Sequence, residues 1–118
     1  MAMKYYYDLY MSPSLIKKKK TIIRKLNHNQ FQINRFVIVL SDKTEEYLEI
    51  YNSTILTQKL FEKDKLFVIG ITDSQEDALR FISDVTQKVY EETKDADLKS
   101  YFLVRQQEFE KGNVQEKQ

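Results

Sequence analysis

The 118-residue chain contains no cysteine and no tryptophan, and only one histidine, one proline and two glycines. Without cysteine there is no disulfide framework, no thiolate zinc site and no cysteine nucleophile. His28 is the only imidazole, so a multi-histidine metal centre cannot be assembled within one chain and no metal is expected. Neither Gly70 nor Gly112 sits in a phosphate-cradling loop, which excludes the P-loop and dinucleotide fingerprints; no cofactor is expected. Long apolar runs are also missing. None approaches the roughly 20 residues that span a bilayer, and Met1-Ala2-Met3-Lys4-Tyr5 lacks the apolar core of a signal peptide. The reading is a soluble, cytoplasmic protein with no membrane partner.

What is present is a core and an uneven charge. An apolar content of 42% with 8 Tyr and 7 Phe suffices for one domain of this length. The net charge is +1, yet residues 1–41 hold eight Lys or Arg against the single acid Asp8, and residues 42–118 hold 11 against 17 acids. Such asymmetry points to a charged partner. The near-neutral total argues against a dedicated nucleic-acid binder, so nucleic acid is the lesser expectation.

The clearest structural statement runs from Leu66 to Tyr90. Leu66-Phe67-Val68-Ile69-Gly70-Ile71 reads as a buried strand, and Asp73 or Ser74 caps a helix with the stripe Ala78, Leu79, Ile82, Val85, Val89 and Tyr90. Asp77, Asp84 and Glu91 line its outer face. Upstream, Lys4 to Met11 reads as a strand. Period-2 places Tyr5, Tyr7, Leu9 and Met11 on one face and Tyr6, Asp8 and Tyr10 on the other. Ser12-Pro13 opens a helix to about Asn27, closed by an Asn in the left-handed region. Its apolar face is Leu15, Ile16, Ile22, Ile23 and Leu26. Arg35 to Ser41 is a second strand. Asp42-Lys43-Thr44-Glu45 matches a capping box, with Tyr47, Leu48 and Tyr51 inward on a helix, and Ile55 to Phe61 leans helical. Leu98 to Val104 reads as a fourth strand.

Strands alternating with helices give an α/β (α+β) sandwich. The favoured form is ferredoxin-like: βαβ, a helical insert over residues 42–65, then βαβ, with a four-stranded mixed sheet and both long helices on one face. The alternative is a three-layer α/β fold with a mainly parallel sheet. Residues 1–105 form one domain and 106–118 a polar, flexible tail. Strands two and three are apolar on both faces, so either the insert or a second copy of the chain must cover the outer face.

Four sets of residues are candidates for function. Lys17, Lys18, Lys20, Arg24 and Lys25 share one helix face, an anion- or partner-binding patch unless the acidic outer face of the long helix lies alongside. Tyr6 and Tyr10 are candidate interface aromatics on the sheet. Leu66–Ile71 followed by Glu76-Asp77-Ala78-Leu79 resembles the first strand and helix of an RNA-recognition motif over about 25 residues, which would imply stacking of bases on sheet aromatics. That family's second signature, Gly- and aromatic-rich on a later strand, has no counterpart here, so packing is the expected role of the tyrosines. Ser12, Ser41-Asp42 and Thr72-Asp73-Ser74 follow strands but read as ordinary N-caps, and in the ferredoxin-like form Asp73 is placed at the opposite end from Ser12. A carboxylate-based enzyme would need two of Asp8, Asp42 and Asp73 in one cleft. No catalytic residue is assigned. The expectation is a non-enzymatic protein-interaction or homodimerisation module, with anion or nucleic-acid binding by the basic face as the alternative.

Overall fold

A computed structural model describes residues 3–40, 48–57, 66–95 and 97–112. Four strands form one sheet: β1 (Lys4–Met11), β2 (Phe36–Leu40), β3 (Leu48–Asn52) and β4 (Phe67–Thr72), in the order β1-β4-β2-β3. The central pair explains the unbroken apolar runs, since β4 is buried at every position and β2 at four of five. β1 and β4 are parallel, while β2 is antiparallel to both β4 and β3. The sheet is therefore mixed.

The side chains of β2 alternate between two separate cores, and those of β4 are divided between the same two. Val37, Val39, Val68 and Ile71 pack with Leu15, Ile22, Leu26 and Leu56 on one face. That face is covered by a 3-10 turn (Pro13–Lys18), the helix α1 (Lys19–Asn27) and a second 3-10 turn (Ser53–Thr57). Ile38, Leu40, Phe67 and Ile69 pack on the other face with Ala78 and Val89 of α2 (Gln75–Thr93) and Leu98 and Phe102 of α3 (Leu98–Glu110). The result is a small α+β fold with helices on both faces of the sheet.

The helix ends follow capping chemistry. The Ser74 side chain accepts the Asp77 N–H at 3.1 Å, Glu76 and Asp77 sit favourably in the first turn of α2, and Lys94 ends it with φ +60°. Asn29, with φ +58°, follows α1 as expected of an Asn cap. Asp97 caps α3 by accepting the Ser100 N–H at 3.0 Å.

Several expectations need correction. The two long helices lie on opposite faces rather than one, so the sheet face expected to need the insert or a second copy is covered by α2 and α3. Leu98–Val104 is not a strand but the first half of α3, because Asp97 starts a helix and Leu98, Phe102 and Gln106 fall on one helical face. α3 continues through Gln106 to Glu110, residues expected in a tail, and Gln106 is buried. Helix α3 also does the fourth strand's work at the sheet edge. The Tyr7 N–H of β1 donates to the Gln106 side-chain oxygen at 2.8 Å, satisfying an edge donor that another strand would otherwise take.

The helix expected to hold Leu48 and Tyr51 is instead the edge strand β3. Leu48 and Ile50 join the α2–α3 core while Tyr51 packs on the α1 side, a period of two. The capping box at residues 42–45 and the segment 58–61 lie outside the described residues. On α2, Leu79 and Tyr90 are exposed while Phe81 packs inward, and Asp77, expected outside, is buried. Ile16 of the first 3-10 turn is exposed rather than inward.

Strand β1 also breaks its expected alternation. Tyr5 pairs with Val68 and Tyr10 with Gly70, so residues 6–9 lie opposite Ile69 alone. This slip turns both Tyr6 and Tyr7 to the α2–α3 side, where a strict period of two would send Tyr7 to the α1 side.

Candidate functional site

The basic face stands clear of the acidic helix. Lys17 and Lys18 close the first 3-10 turn and Lys20, Arg24 and Lys25 lie on α1. All but the half-buried Lys25 are exposed. Among the described residues none of the five makes an ion pair. The acidic residues Asp84 and Glu91 of α2 are on the far side of the sheet, so the neutralisation weighed from the sequence is missing. Three large apolar side chains are exposed on this part of the chain: Ile16, next to Lys17, at 59%, and Phe31 and Ile33, in the segment after α1, at 63% and 67%. The segment carrying the last two is held against α1, because Gln32 between them is buried and its side-chain NH2 donates to the Ile22 carbonyl at 3.4 Å.

The carboxyl ends of the parallel strands gather polar groups. Because β1 and β4 run in parallel, Asp73 lies beside Ser12, not at the opposite end: its N–H donates to Ser12 Oγ at 3.0 Å. Ser12 Oγ donates in turn to Asp77 Oδ2. Asp77 also accepts from the Tyr10 hydroxyl at 2.9 and 3.1 Å and from Arg80 at 3.0 Å. Burial, followed by the hydrogen bond and charge of Asp77, pushes the Tyr10 phenol up to about 12. The Ser14 hydroxyl, 2.5 Å from Asp73, holds that carboxyl below its ordinary value, the hydroxyl of Ser12 assisting. Ser12 is fully enclosed, and the network ties β1 to the start of α2. Asp8 faces elsewhere, and Asp42 is outside the described residues, so the carboxylates expected to converge in an enzyme do not do so among those described.

A cavity of about 210 Å³ opens between β1, α2 and α3. Its walls include Tyr6, Phe81, Val85, Tyr101 and Phe102; Asp8, Asp84, Lys88 and Arg105 supply charge. Tyr6 is 5% exposed and meets Phe102 edge-on at 5.0 Å, while Tyr10 stacks on Phe81 at 4.4 Å. Both candidate interface tyrosines thus spend their rings on contacts within the chain. Arg105 is fixed from three sides. Its Nε donates to the Tyr6 hydroxyl at 2.9 Å, an Nη to the Tyr7 hydroxyl at 3.1 Å, and its guanidinium carbon lies 5.3 Å from the Tyr101 ring centre. Burial works against the Arg105 charge, but the hydrogen bond and charge of Tyr6, with Tyr101 and Tyr7, raise its pKa above the ordinary value. Burial likewise raises the Tyr6 phenol. A second hollow, of about 310 Å³, adjoins at Tyr101 and Arg105 and reaches Asp95, Asp97 and Ser100.

Comparison with protein-family models, with curated proteins and with solved structures finds no match to this chain. Among the described residues no cluster of His, Asp or Glu has metal-ligating form, and no helix is long and apolar enough to cross a membrane.

The sequence pointed to the basic face and to Tyr6, but not to Arg105 or the cavity. The signal existed: Leu98, Phe102, Gln106 and Phe109 repeat at helical spacing, and that register carries Tyr101 and Arg105 together on the adjoining stripe. Residues 98–104 alone also fit a strand, and the helical repeat shows only when Gln106 and Phe109 are included.

Proposed function

We propose that the protein is a non-enzymatic interaction module that docks an acidic protein segment on the face formed by Lys17, Lys18, Lys20, Arg24 and Lys25. The observation that carries this reading is a set of five cations with no ion pair among the described residues, on the side of the sheet away from the acidic helix. The exposed Ile16 next to Lys17, with Phe31 and Ile33 exposed in the segment packed against α1, favours a protein partner over a bare polyanion, since protein interfaces combine an apolar centre with a charged rim. Helices on both faces of the sheet leave neither face bare for a second copy, which favours the basic face as the place where a partner docks.

The test is fluorescence anisotropy of the full chain against three labelled probes: an amphipathic Glu/Leu peptide, poly-glutamate and a single-stranded oligonucleotide. The amphipathic peptide binds tightest, its affinity falls with added salt, and a variant with Lys17, Lys18 and Lys20 all replaced by Glu loses the binding. Unchanged affinity in that variant refutes the reading. Tightest binding to the oligonucleotide transfers the face to nucleic-acid recognition.

A further inference from the structure

The cavity on the opposite side of the sheet carries a second, independent inference. Arg105 is the only one of its charged groups with a fixed geometry, held by the Tyr6 and Tyr7 hydroxyls and the Tyr101 ring. These contacts use the Nε–H and one N–H of one Nη, leaving three N–H groups across the two Nη atoms for a further acceptor. No carboxylate of the described residues lies within ion-pair distance of it. The other three charges also make no ion pair among the described residues. Asp84 and Lys88 are four residues apart on α2, the spacing at which such groups commonly pair, and do not. Asp8 makes no ion pair with Arg105 although both line the same cavity.

Two cations and two anions therefore line one space walled by aromatic rings, none of them ion-paired among the described residues. That is the complement of a zwitterion with an apolar body. We infer that this cavity is a binding site for a free α-amino acid with an aromatic or large apolar side chain. Arg105, with Lys88, receives the carboxylate, in the bidentate geometry that guanidinium favours. Asp8 and Asp84 receive the ammonium, and Phe81, Tyr101 and Phe102 enclose the side chain. The size agrees. At about 210 Å³ the space is below the roughly 300–1,000 Å³ of sites for drug-sized ligands, which suits a metabolite of amino-acid size.

The experiment is isothermal titration of the full chain with L-phenylalanine, 3-phenylpropionate and 2-phenylethylamine. The two analogues each keep one charge and the ring. L-Phenylalanine binds saturably with one site, and each analogue binds about tenfold or more weakly, as expected when a charge-assisted contact is lost. The double variant Asp8→Asn, Asp84→Asn weakens L-phenylalanine by a similar factor and leaves 3-phenylpropionate unchanged. These two aspartates are exposed, so the variant retains its fold, which circular dichroism checks. Arg105→Gln removes binding of both carboxylates; because it also strips a donor from Tyr6 and Tyr7, the aspartate variant is the decisive one. Absence of saturable binding up to millimolar L-phenylalanine overturns the assignment, as does an analogue that binds as tightly as the amino acid. The Lys17, Lys18, Lys20→Glu variant leaves this binding unchanged, which keeps its outcome separate from that of the basic face.

Discussion

Helix α3 offers the sharpest test of the fold, because two substitutions two residues apart separate helix from strand. In a strand, Leu98, Ser100, Phe102 and Val104 share one face. In α3, Phe102 is 2% exposed, between Tyr6 and Tyr101 at ring separations of 5.0 and 5.4 Å, whereas Val104 is 54% exposed. Phe102→Ala removes a fully enclosed ring and leaves a void beneath α3, at a cost of about 3–5 kcal/mol. Against a total stability of about 5–15 kcal/mol for such a domain, that is a large share. Val104→Gln, at a surface position, changes stability by no more than about 0.5 kcal/mol. Urea titration followed by circular dichroism reads both. With a slope of about 2 kcal/mol per molar, Phe102→Ala lowers the midpoint by about 2 M and Val104→Gln leaves it nearly in place. Comparable losses in the two variants would refute the helical docking of residues 98–110.

Four other outcomes are expected. Lys20→Glu stabilises the chain by about 0.3–1 kcal/mol while weakening binding at the basic face, since the first turn of α1 holds no acid to suit the helix dipole; a lower midpoint in urea would count against it. Gly70→Val costs about 1–3 kcal/mol, because even a bare Cβ there meets Tyr10 Cβ at 3.2 Å and Ile38 Cδ1 at 3.3 Å; an unchanged melting temperature would contradict that. Asp77→Ala leaves the enclosed Ser12 hydroxyl without its acceptor and removes the partner of Tyr10 and Arg80, a loss of about 2–3 kcal/mol visible in the same titration. Finally, the phenols of Tyr5, Tyr6 and Tyr10 are raised, burial being the first cause in each, with Tyr10 at about 12. The folded chain holds these protons more tightly than the unfolded chain. Their contribution is thus intact below about pH 10, the ordinary phenol value, and is lost as pH rises from there through 12. Equal urea midpoints at pH 9 and pH 11 would show the phenols to be uninvolved.

The sequence discloses most where one physical signal stands alone. The strand at 66–71 and the helix after it follow from a continuous apolar run, a serine cap and a 3.6-residue stripe, and all three are present. The strand at 36–40 and the cap at Asn29 were legible for the same reason. Legibility fails where two periods fit the same letters. Leu98, Phe102 and the residues between satisfy a short strand, and only Asp97 as a cap and Gln106 and Phe109 beyond reveal the helix. Leu48-Glu49-Ile50-Tyr51 satisfies a helical stripe until β2 supplies a partner for it, a pairing between residues distant in sequence that no local window contains. The basic face of α1 was visible as a charge pattern. Whether it was neutralised depended on which side of the sheet α2 occupies, and that is a tertiary fact.

The cavity depends on a single irregularity of that tertiary kind. With residues 6–9 of β1 set against Ile69 alone, both Tyr6 and Tyr7 face α3 and present two hydroxyls to one guanidinium. Strict alternation would leave Arg105 with one phenol and place Tyr7 under α1. Tyr7 is further secured by stacking on Phe109 at 4.6 Å with planes 8° apart, and its N–H by Gln106. The strand slip, the helix at residues 98–110 and the fixed arginine are therefore one arrangement. Gln106 compensates the edge donor that the slip exposes, Phe109 holds the ring that the slip turns outward, and Arg105, on the same helix, takes up both hydroxyls. A charge immobilised this way carries less of the ordering cost that a free arginine incurs on binding an anion, which is why the cavity beside Arg105, and not the exposed lysines alone, is where small-molecule selectivity would reside.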